Sequence, residues 1–402
     1  VITTPADPSL IHADPRRVEE DLTAHRAALT DLGAEFTRRE IAPHLQEWED
    51  AGEIPRELHR KAAQQGLLGI SFPESVGGEG GDLLDTIALQ EGMFREGASS
   101  GLASALFTHG IALPHIAAHG SPALVDRYVR PTLAGEKIGS LGITEPGGGS
   151  DVGNLRTNAV LDGDHYVVNG SKTFITSGTR ADFVTTAVRT GGPGAGGVSL
   201  LVIDTDTPGF TVDRKLAKMG WHCSDTAELS FVDVRVPVEN LVGHENAGFL
   251  YIAEQFVVER MALAVHGYGI AGRALALTAD YCRQRTTFGE PLIKRQVVRH
   301  KLVEMHRQVE VARAHTHTVA QQYVAAGGVN EAVIAAACLA KETACNTATY
   351  VCDQAVQLHG GTGYMHGTEV ERHYRDARLL PIGGGATEVL TDLAAKLLGY
   401  TA

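Results

Sequence analysis

The spacing of apolar residues changes character twice along this chain, near residue 135 and near residue 240, and those two changes restrict what it can fold into. Before the first, apolar residues recur at helical spacing between proline and glycine breaks. A helix is expected over 19–41, Pro43 interrupts it, Pro55 opens another through residue 65, and Gly66 stops that one. Further helices over 82–97, 102–118 and 122–134 complete an all-helical first domain over 21–134. From 135 to 240 short apolar runs alternate with turn residues, which reads as strands over 138–144, 159–169, 173–176, 183–189, 198–204, 210–213 and 227–238. Asp162-Gly163 and Asn169-Gly170 read as hairpin turns, and the glycine-rich 191–197 as a loop between strands. Over 241–402 the helical period returns in runs at 245–285, 292–327, 330–359, 369–378 and 386–398, long enough for a bundle that buries part of its surface against another copy. The fold class is α+β, with a helical domain, a β domain and a helical domain in that order, and a cleft is expected where the three meet. Residues 1–20, with prolines at 5, 8 and 15, read as a loose leader.

Charge and composition narrow the function classes. A formal net charge of −13 argues against non-specific binding to nucleic acid or anionic lipid, though a few local arginines can still hold an anionic ligand. No apolar run reaches the length of a membrane span, and the first residues lack a basic-then-apolar signal pattern, so a cytoplasmic protein is expected. The five cysteines lack a metal-ligand rhythm. Cys338, Cys345 and Cys352 recur every seven residues, as small buried hydrophobes on one side of a helix do.

The long helix expected over 245–285 carries the candidate for chemistry, Glu259. On a 3.6-residue period it shares a face with Ile252, Gln255, Phe256, Ala262, Leu263 and His266, a mostly apolar stripe. A carboxylate facing a low-dielectric cavity is pushed toward the pKa of a useful base. The alternative at this point is a glutamate that leans out to solvent or pairs with Arg260.

Four further segments are unusual for their surroundings. At 144–151, Thr-Glu-Pro-Gly-Gly-Gly-Ser-Asp carries a strand into a turn with exposed backbone N–H groups and flanking hydroxyls, without the spacing of a P-loop. Phe174 and Thr176, two apart on a strand, place an aromatic plate beside a hydroxyl on one face. Arg283 and Arg285, near a helix end, precede Thr287 and Phe288, a pattern that fits either a diphosphate clamp or a solvated face. Glycine clusters at 360–363 and 383–385 imply close backbone approach to a ligand or a helix.

Thr-Glu-Pro-Gly-Gly-Gly-Ser-Asp at 144–151, Phe-Ile-Thr at 174–176, Arg-Thr-Thr-Phe-Gly at 285–289 and Gln-Leu-His-Gly-Gly-Thr-Gly-Tyr at 357–364 come in the order and at the separations of one family. From about residue 20 to its end the chain resembles the acyl-CoA dehydrogenases. The resemblance implies a middle β-barrel, a C-terminal four-helix bundle, bound FAD and a homotetramer in which two subunits contribute to each flavin site. Carried onto this sequence, Leu141, Thr144, Gly149, Ser150, Phe174, Ile175 and Thr176 would contact the flavin, with Phe174 standing where the family often has tryptophan. Arg285, Thr287, Phe288, Gln296, Gln357, Leu358, Gly360 and Gly361 would reach the FAD of a neighbouring subunit. Ala386 and Glu388 match the last FAD-contacting turn, where Ala386 replaces a usual threonine and loses its hydroxyl. Ser150, Val257, Arg260 and Gly384 match acyl-CoA contacts.

In the family's commonest form the catalytic glutamate lies where this chain has Gly384, after Asp376-Ala377-Arg378. A minority form, that of the isovaleryl-CoA and long-chain enzymes, puts it on the first long C-terminal helix just before an arginine, and Glu259-Arg260 matches that place. The resemblance therefore implies α,β-dehydrogenation of an acyl-CoA thioester, Glu259 taking the α proton, FAD accepting the β hydride and an electron-transfer flavoprotein taking the electrons. The carbonyl oxygen would be held by the backbone near Gly384. Gly383 and Gly384 remove two side chains from the pocket wall, which suits a branched, terpenoid or long acyl chain. Three other readings share these residues: a flavin monooxygenase or oxidase of the same fold, a non-catalytic subunit of a heteromeric dehydrogenase, and an enzyme acting on an acyl-carrier-protein thioester.

Overall fold

A computed structural model describes residues 15–401; the prolines at 5 and 8 and most of the expected leader lie outside the described residues. The first helix opens at Pro15, inside the stretch read as leader. In the N-terminal domain α1 (Pro15–Phe36) lies along α4 (Leu83–Arg95), with α2 (Leu45–Ala51) and α3 (Arg56–Gln64) between them in sequence. The sequence pattern predicts no helix over the α2 segment, between Pro43 and Pro55. Asp82 caps α4 by accepting from the N–H groups of Leu84 and Asp85, and Arg26 on α1 reaches both Asp82 and Asp85, each at 3.1 Å. The single helix expected over 102–118 is three: α5 (Ser100–Leu106), α6 (His109–Ala112) and α7 (Pro114–His119). Pro114 has no N–H to continue a helix, so it starts a new one at its first position. A short α8 (Pro122–Leu124) and α9 (Arg130–Leu133) flank a widened turn over Val125–Val129.

The middle domain is one seven-stranded sheet of β1 (Gly139–Gly142), β2 (Asn158–Asp162), β3 (His165–Thr176), β4 (Phe183–Arg189), β5 (Val198–Asp204), β6 (Phe210–Lys215) and β7 (Thr226–Pro237). The strands run in the order β1, β4, β2, β3, β7, β6, with β5 paired to β4. Alternation along β4 and β5 sends Val184, Val188, Leu201 and Ile203 inward to meet Leu229 and Phe231 of β7, so the sheet curls around its own core. The opposite set, Phe183, Ala187, Leu200 and Val202, packs on Leu113 and Ile116 of the N-terminal domain and on Tyr251 and Ile252 of the next helix. Asp162-Gly163 makes its hairpin, with Asp162 opposite His165. Asn169-Gly170 does not turn: β3 continues through it with a shift in register against β7. Gly170 passes so close to Thr157 that a Cβ would lie 2.5 Å from its hydroxyl, while the Asn169 side chain bonds Asp233 across the ladder; the pair makes a bulge.

The C-terminal domain is built on α10 (Gly248–Gln284), α11 (Gln296–Ala325) and α12 (Glu331–His359). A two-residue hairpin of β8 (Thr286–Thr287) and β9 (Glu290–Pro291) joins the first two, and α13 (Gly361–Tyr364), α14 (Glu369–Ala377) and α15 (Thr387–Leu397) follow. α15 lies on α12 as the short fourth member of the bundle, with Leu390 and Ala394 against Cys338. All five cysteines are buried and free. No single described helix is long and apolar enough to cross a membrane. Asp376 ties the three domains together, accepting from Gly101 N–H of the first at 3.2 Å and Trp221 N–H of the second at 2.6 Å. Burial, with Glu49 adding a second negative charge, pushes its carboxyl up to about 6.

Candidate active site

Where the three domains meet they enclose a cavity of about 1480 Å³, walled by α4 to α7, the ends of β1 and β3, one face of α10 and the 375–389 segment. The α10 face is the stripe expected from the sequence: Gln255, Phe256, Glu259, Ala262, Leu263 and His266 all line it. Ile252 instead packs into the core beneath the sheet. Val257, a sequence-expected substrate contact, does not reach the cavity. It is fully buried in the main core, because two residues along a helix turn the side chain to the far side from Glu259.

Glu259 accepts no hydrogen bond and makes no ion pair among the described residues; its neighbours act only through space. Burial raises its carboxyl above the ordinary carboxylate range, opposed by the nearby positive charges of Arg260 and Lys341. The 383–385 turn faces it directly. A Cβ placed on Gly384 would lie 3.5 Å from Glu259 Oε1, so side chains at 259 and 384 address the same space from opposite walls. That Cβ would also lie 2.4 Å from Leu263 Cδ1, so Leu263 fills much of the room that Gly384 vacates. The widening expected at both glycines is therefore left to Gly383, whose Cβ would meet only Leu379, at 3.9 Å. Gly384 and Gly385 have φ of +61° and +100°, the region that favours glycine, and the Gly384 N–H makes no hydrogen bond among the described residues.

Lys341, which the sequence reading passed over, holds this turn. It is wholly buried on α12, and its Nζ donates to Gly385 O at 2.6 Å. A signal was present: Lys341 is three residues after Cys338 and four before Cys345, on the buried stripe that the cysteine spacing marks. Arg260 is 7% exposed, stacks over Phe256 at 5.4 Å and leaves its Nε unpartnered beside the cavity.

The middle-domain wall comes from Leu141, Thr144, Gly149, Ser150, Phe174, Ile175 and Thr176, all gathered on the cavity. Phe174 takes φ +60° at an irregularity of β3, which turns its ring outward to 66% exposure, while Ile175 buries its side chain in the sheet. Cβ atoms on Gly147 or Gly148 would meet nothing within 4 Å, so this turn presents bare backbone. It is anchored from behind by a buried ion pair. Lys172 Nζ donates to Glu145 Oε1 at 2.9 Å and Ile143 O at 3.0 Å, and Glu145 accepts from the N–H groups of Arg156 and Thr157. Ala386 lines the cavity, whereas Glu388 points to solvent in the first turn of α15.

The remaining expected residues gather elsewhere. Arg285, Thr287 and Phe288 lie at the end of α10 and in the hairpin after it, Gln296 opens α11, and Gln357, Leu358, Gly360 and Gly361 lie at the end of α12 and just beyond it. Tyr281 stacks on His359 at 4.3 Å, and so brings these two segments to one end of the bundle, outside the cavity. Phe288 is 97% exposed there.

Three family models, described as acyl-CoA dehydrogenase N-terminal, middle and C-terminal domain, match residues 23–136, 140–234 and 246–399. The mitochondrial long-chain specific acyl-CoA dehydrogenase of Rattus norvegicus is 38% identical over 366 residues, 90% of this chain and 83% of that protein. A probable acyl-CoA dehydrogenase from Mycobacterium abscessus superposes with a TM-score of 0.90 at 62% identity, covering 92% of this chain and 98% of that one. One from Mycobacterium smegmatis gives 0.91 at 58% identity, covering 98% and 100%. With all three of its domains matched in order across a cavity that holds an unpaired glutamate, the chain belongs to the acyl-CoA dehydrogenase family of flavin-dependent oxidoreductases.

Proposed function

We propose that this chain catalyses FAD-dependent α,β-dehydrogenation of an acyl-CoA thioester, with Glu259 as the base that removes the α proton. The observation that carries the reading is the unpaired Glu259 carboxylate facing Gly384, so that the only acid at the shared position comes from α10. FAD, when bound, supplies the acceptor for the β hydride. The residues present fit it: the bare backbone at Gly148, the outward ring of Phe174 and Thr176 all line the cavity that α10 also walls.

An α C–H is acidic only when charge developing on the thioester oxygen is stabilised, and the free N–H of Gly384 is the donor beside Glu259. Lys341, through Gly385 O, keeps that turn in place. Glu259 must be ionised to accept the proton, so flavin reduction is expected to speed up as pH rises through its raised pKa. Lys341→Met removes a charge that holds this pKa down, so the rise should move to higher pH. Stopped-flow flavin bleaching across pH tests this, and an unmoved profile removes Lys341 from the account.

The convergence of 285–296 and 357–361 outside the cavity supports a homotetramer in which these residues complete a neighbour's FAD site. We assign the acyl-CoA as substrate and an electron-transfer flavoprotein as acceptor. The opening at Gly383 suits a branched or long acyl chain. Anaerobic mixing of the flavin-loaded protein with a panel of acyl-CoAs decides the matter: bleaching by some thioesters is expected, and bleaching by none overturns the reading.

A further inference from the structure

One end of the cavity is open and the other is shut by a single side chain. α4 and α10 lie side by side and run the same way, since Tyr268 Oη donates to Glu91 at 2.9 Å and Arg273 reaches Arg95 O at 3.0 Å. Among the described residues the α10 wall ends at His266, the α4 wall ends at Gln90, and α5 joins only from Ala103 onward. The other end reaches solvent. Ala118 lines the cavity there and is exposed, and His119 beside it bonds Glu254 of α10 at 3.0 Å. Glu259 therefore stands between an open rim near Glu254 and a closed end at His266. A thioester that enters by the rim sends its acyl tail inward, past Ala262 and Leu263, toward His266.

The His266 ring is fixed from three sides. Its Nδ1 shares a hydrogen bond with Ser100 Oγ, 3.0 Å away at the start of α5, so the ring spans the gap between α10 and α5. Phe94 of α4 meets it edge-on at 5.2 Å, and Trp221, which also lines the cavity, lies 6.1 Å away. The backbone behind the ring has no room to retreat. A Cβ on Gly267 would lie 2.8 Å from Ala344 O of α12, and one on Gly269 would lie 2.5 Å from the Phe94 ring. Burial lowers the imidazole pKa to about 4, so at neutral pH the ring is uncharged and can face an alkyl terminus without leaving a charge unpaired.

We propose that His266 is the floor of the acyl channel and sets the longest chain that the enzyme turns over. On one face of α10 it follows Glu259 by two helical turns, roughly 10 Å of rise, the extended length of about eight carbons beyond the α carbon. A longer straight chain must displace a pinned ring, whereas a branch near the reacting carbons still finds the room at Gly383. This inference rests on the dehydrogenase reading and names the substrate class of the same site, acyl thioesters of medium length.

The test uses the flavin-loaded enzyme and saturated acyl-CoAs of increasing length. Relative kcat/KM is read from flavin bleaching, with thermal melts as the check on folding. In the wild type kcat/KM is expected to rise with length and then to fall about tenfold or more over a few carbons past the limit, as a misfit of one or two methylenes does in a closed pocket. His266→Ala should move that fall to chains about two to four carbons longer, the room that the lost ring leaves. His266→Phe, which refills the space without the hydrogen bond, should bring the limit back. Ser100→Ala frees the ring and should blur the fall, and it decides the matter if His266→Ala does not fold. A wild type without a limit overturns the proposal, and so does a fall as sharp and as placed in both variants. A uniform loss at every length, as a purely structural histidine would give, also overturns it. An unmoved limit with an altered flavin spectrum would put the ring against the cofactor and has the same force. If no thioester of any length bleaches the flavin, the dehydrogenase reading itself has failed, a different outcome from these.

Discussion

Glu259→Gln is expected to slow flavin reduction by an acyl-CoA by about 10²- to 10⁴-fold, the range for removing a positioned general base. Thioester binding should change little, because the amide keeps the shape of the carboxylate and Glu259 holds no structural hydrogen bond or ion pair that the change would break. The measurement is single-turnover bleaching beside a binding titration; a loss confined to affinity would show that Glu259 binds and does not react. The wall opposite offers a second readout. Placing the acid at 384 in a Glu259→Gly background should not restore activity by itself, since any side chain there runs into Leu263 and takes a φ of +61°. Adding Leu263→Ala removes the clash, and recovery of even a small part of the rate in the triple variant would establish that the two positions serve one proton.

The place of Glu259 on the cavity wall, facing Gly384, is legible in the sequence because one residue type breaks an apolar helical stripe and a glycine stands where a carboxylate could be. Local period and turn chemistry likewise set the three long bundle helices and most of the strands to within a few residues. The failures occur where tertiary contact overrides a local signal. Asn169-Gly170 has the sequence of a hairpin, but Thr157 and Asp233 hold it inside a strand as a bulge. The run at 102–118 has helical period throughout, but Pro114 restarts it, and His109 turns to Leu68 O at 2.9 Å. Val257 was carried over with its neighbours and faces the wrong way.

Lys172→Met should be the most damaging substitution outside the α10 face, and the reason is charge left behind. Lys172 is wholly buried and Glu145 nearly so, and each is the other's counter-ion. Burial outweighs that attraction enough to bring the Lys172 ammonium down to about 8. Removing the lysine strands the Glu145 carboxylate with only the N–H groups of Arg156 and Thr157, which costs about 3–5 kcal/mol for a broken buried pair. The damage falls on the 143–151 turn, since the same ammonium holds Ile143 O, and Thr144 O is held by the adjacent Thr173 N–H. A fall in the melting temperature and loss of flavin on gel filtration are therefore expected together. Glu145→Gln in the same chain removes the stranded charge and keeps an oxygen for one of the two N–H groups, so the double variant should be more stable than Lys172→Met alone. The pH dependence must agree in sign. In Lys172→Met the Glu145 pKa rises above its unfolded value, so the penalty is full at neutral pH and fades as acid protonates the carboxyl. In the double variant that dependence vanishes. A double variant no more stable than the single one would mean that the cavity left by the lysine, and not the unpaired carboxylate, had loosened the turn.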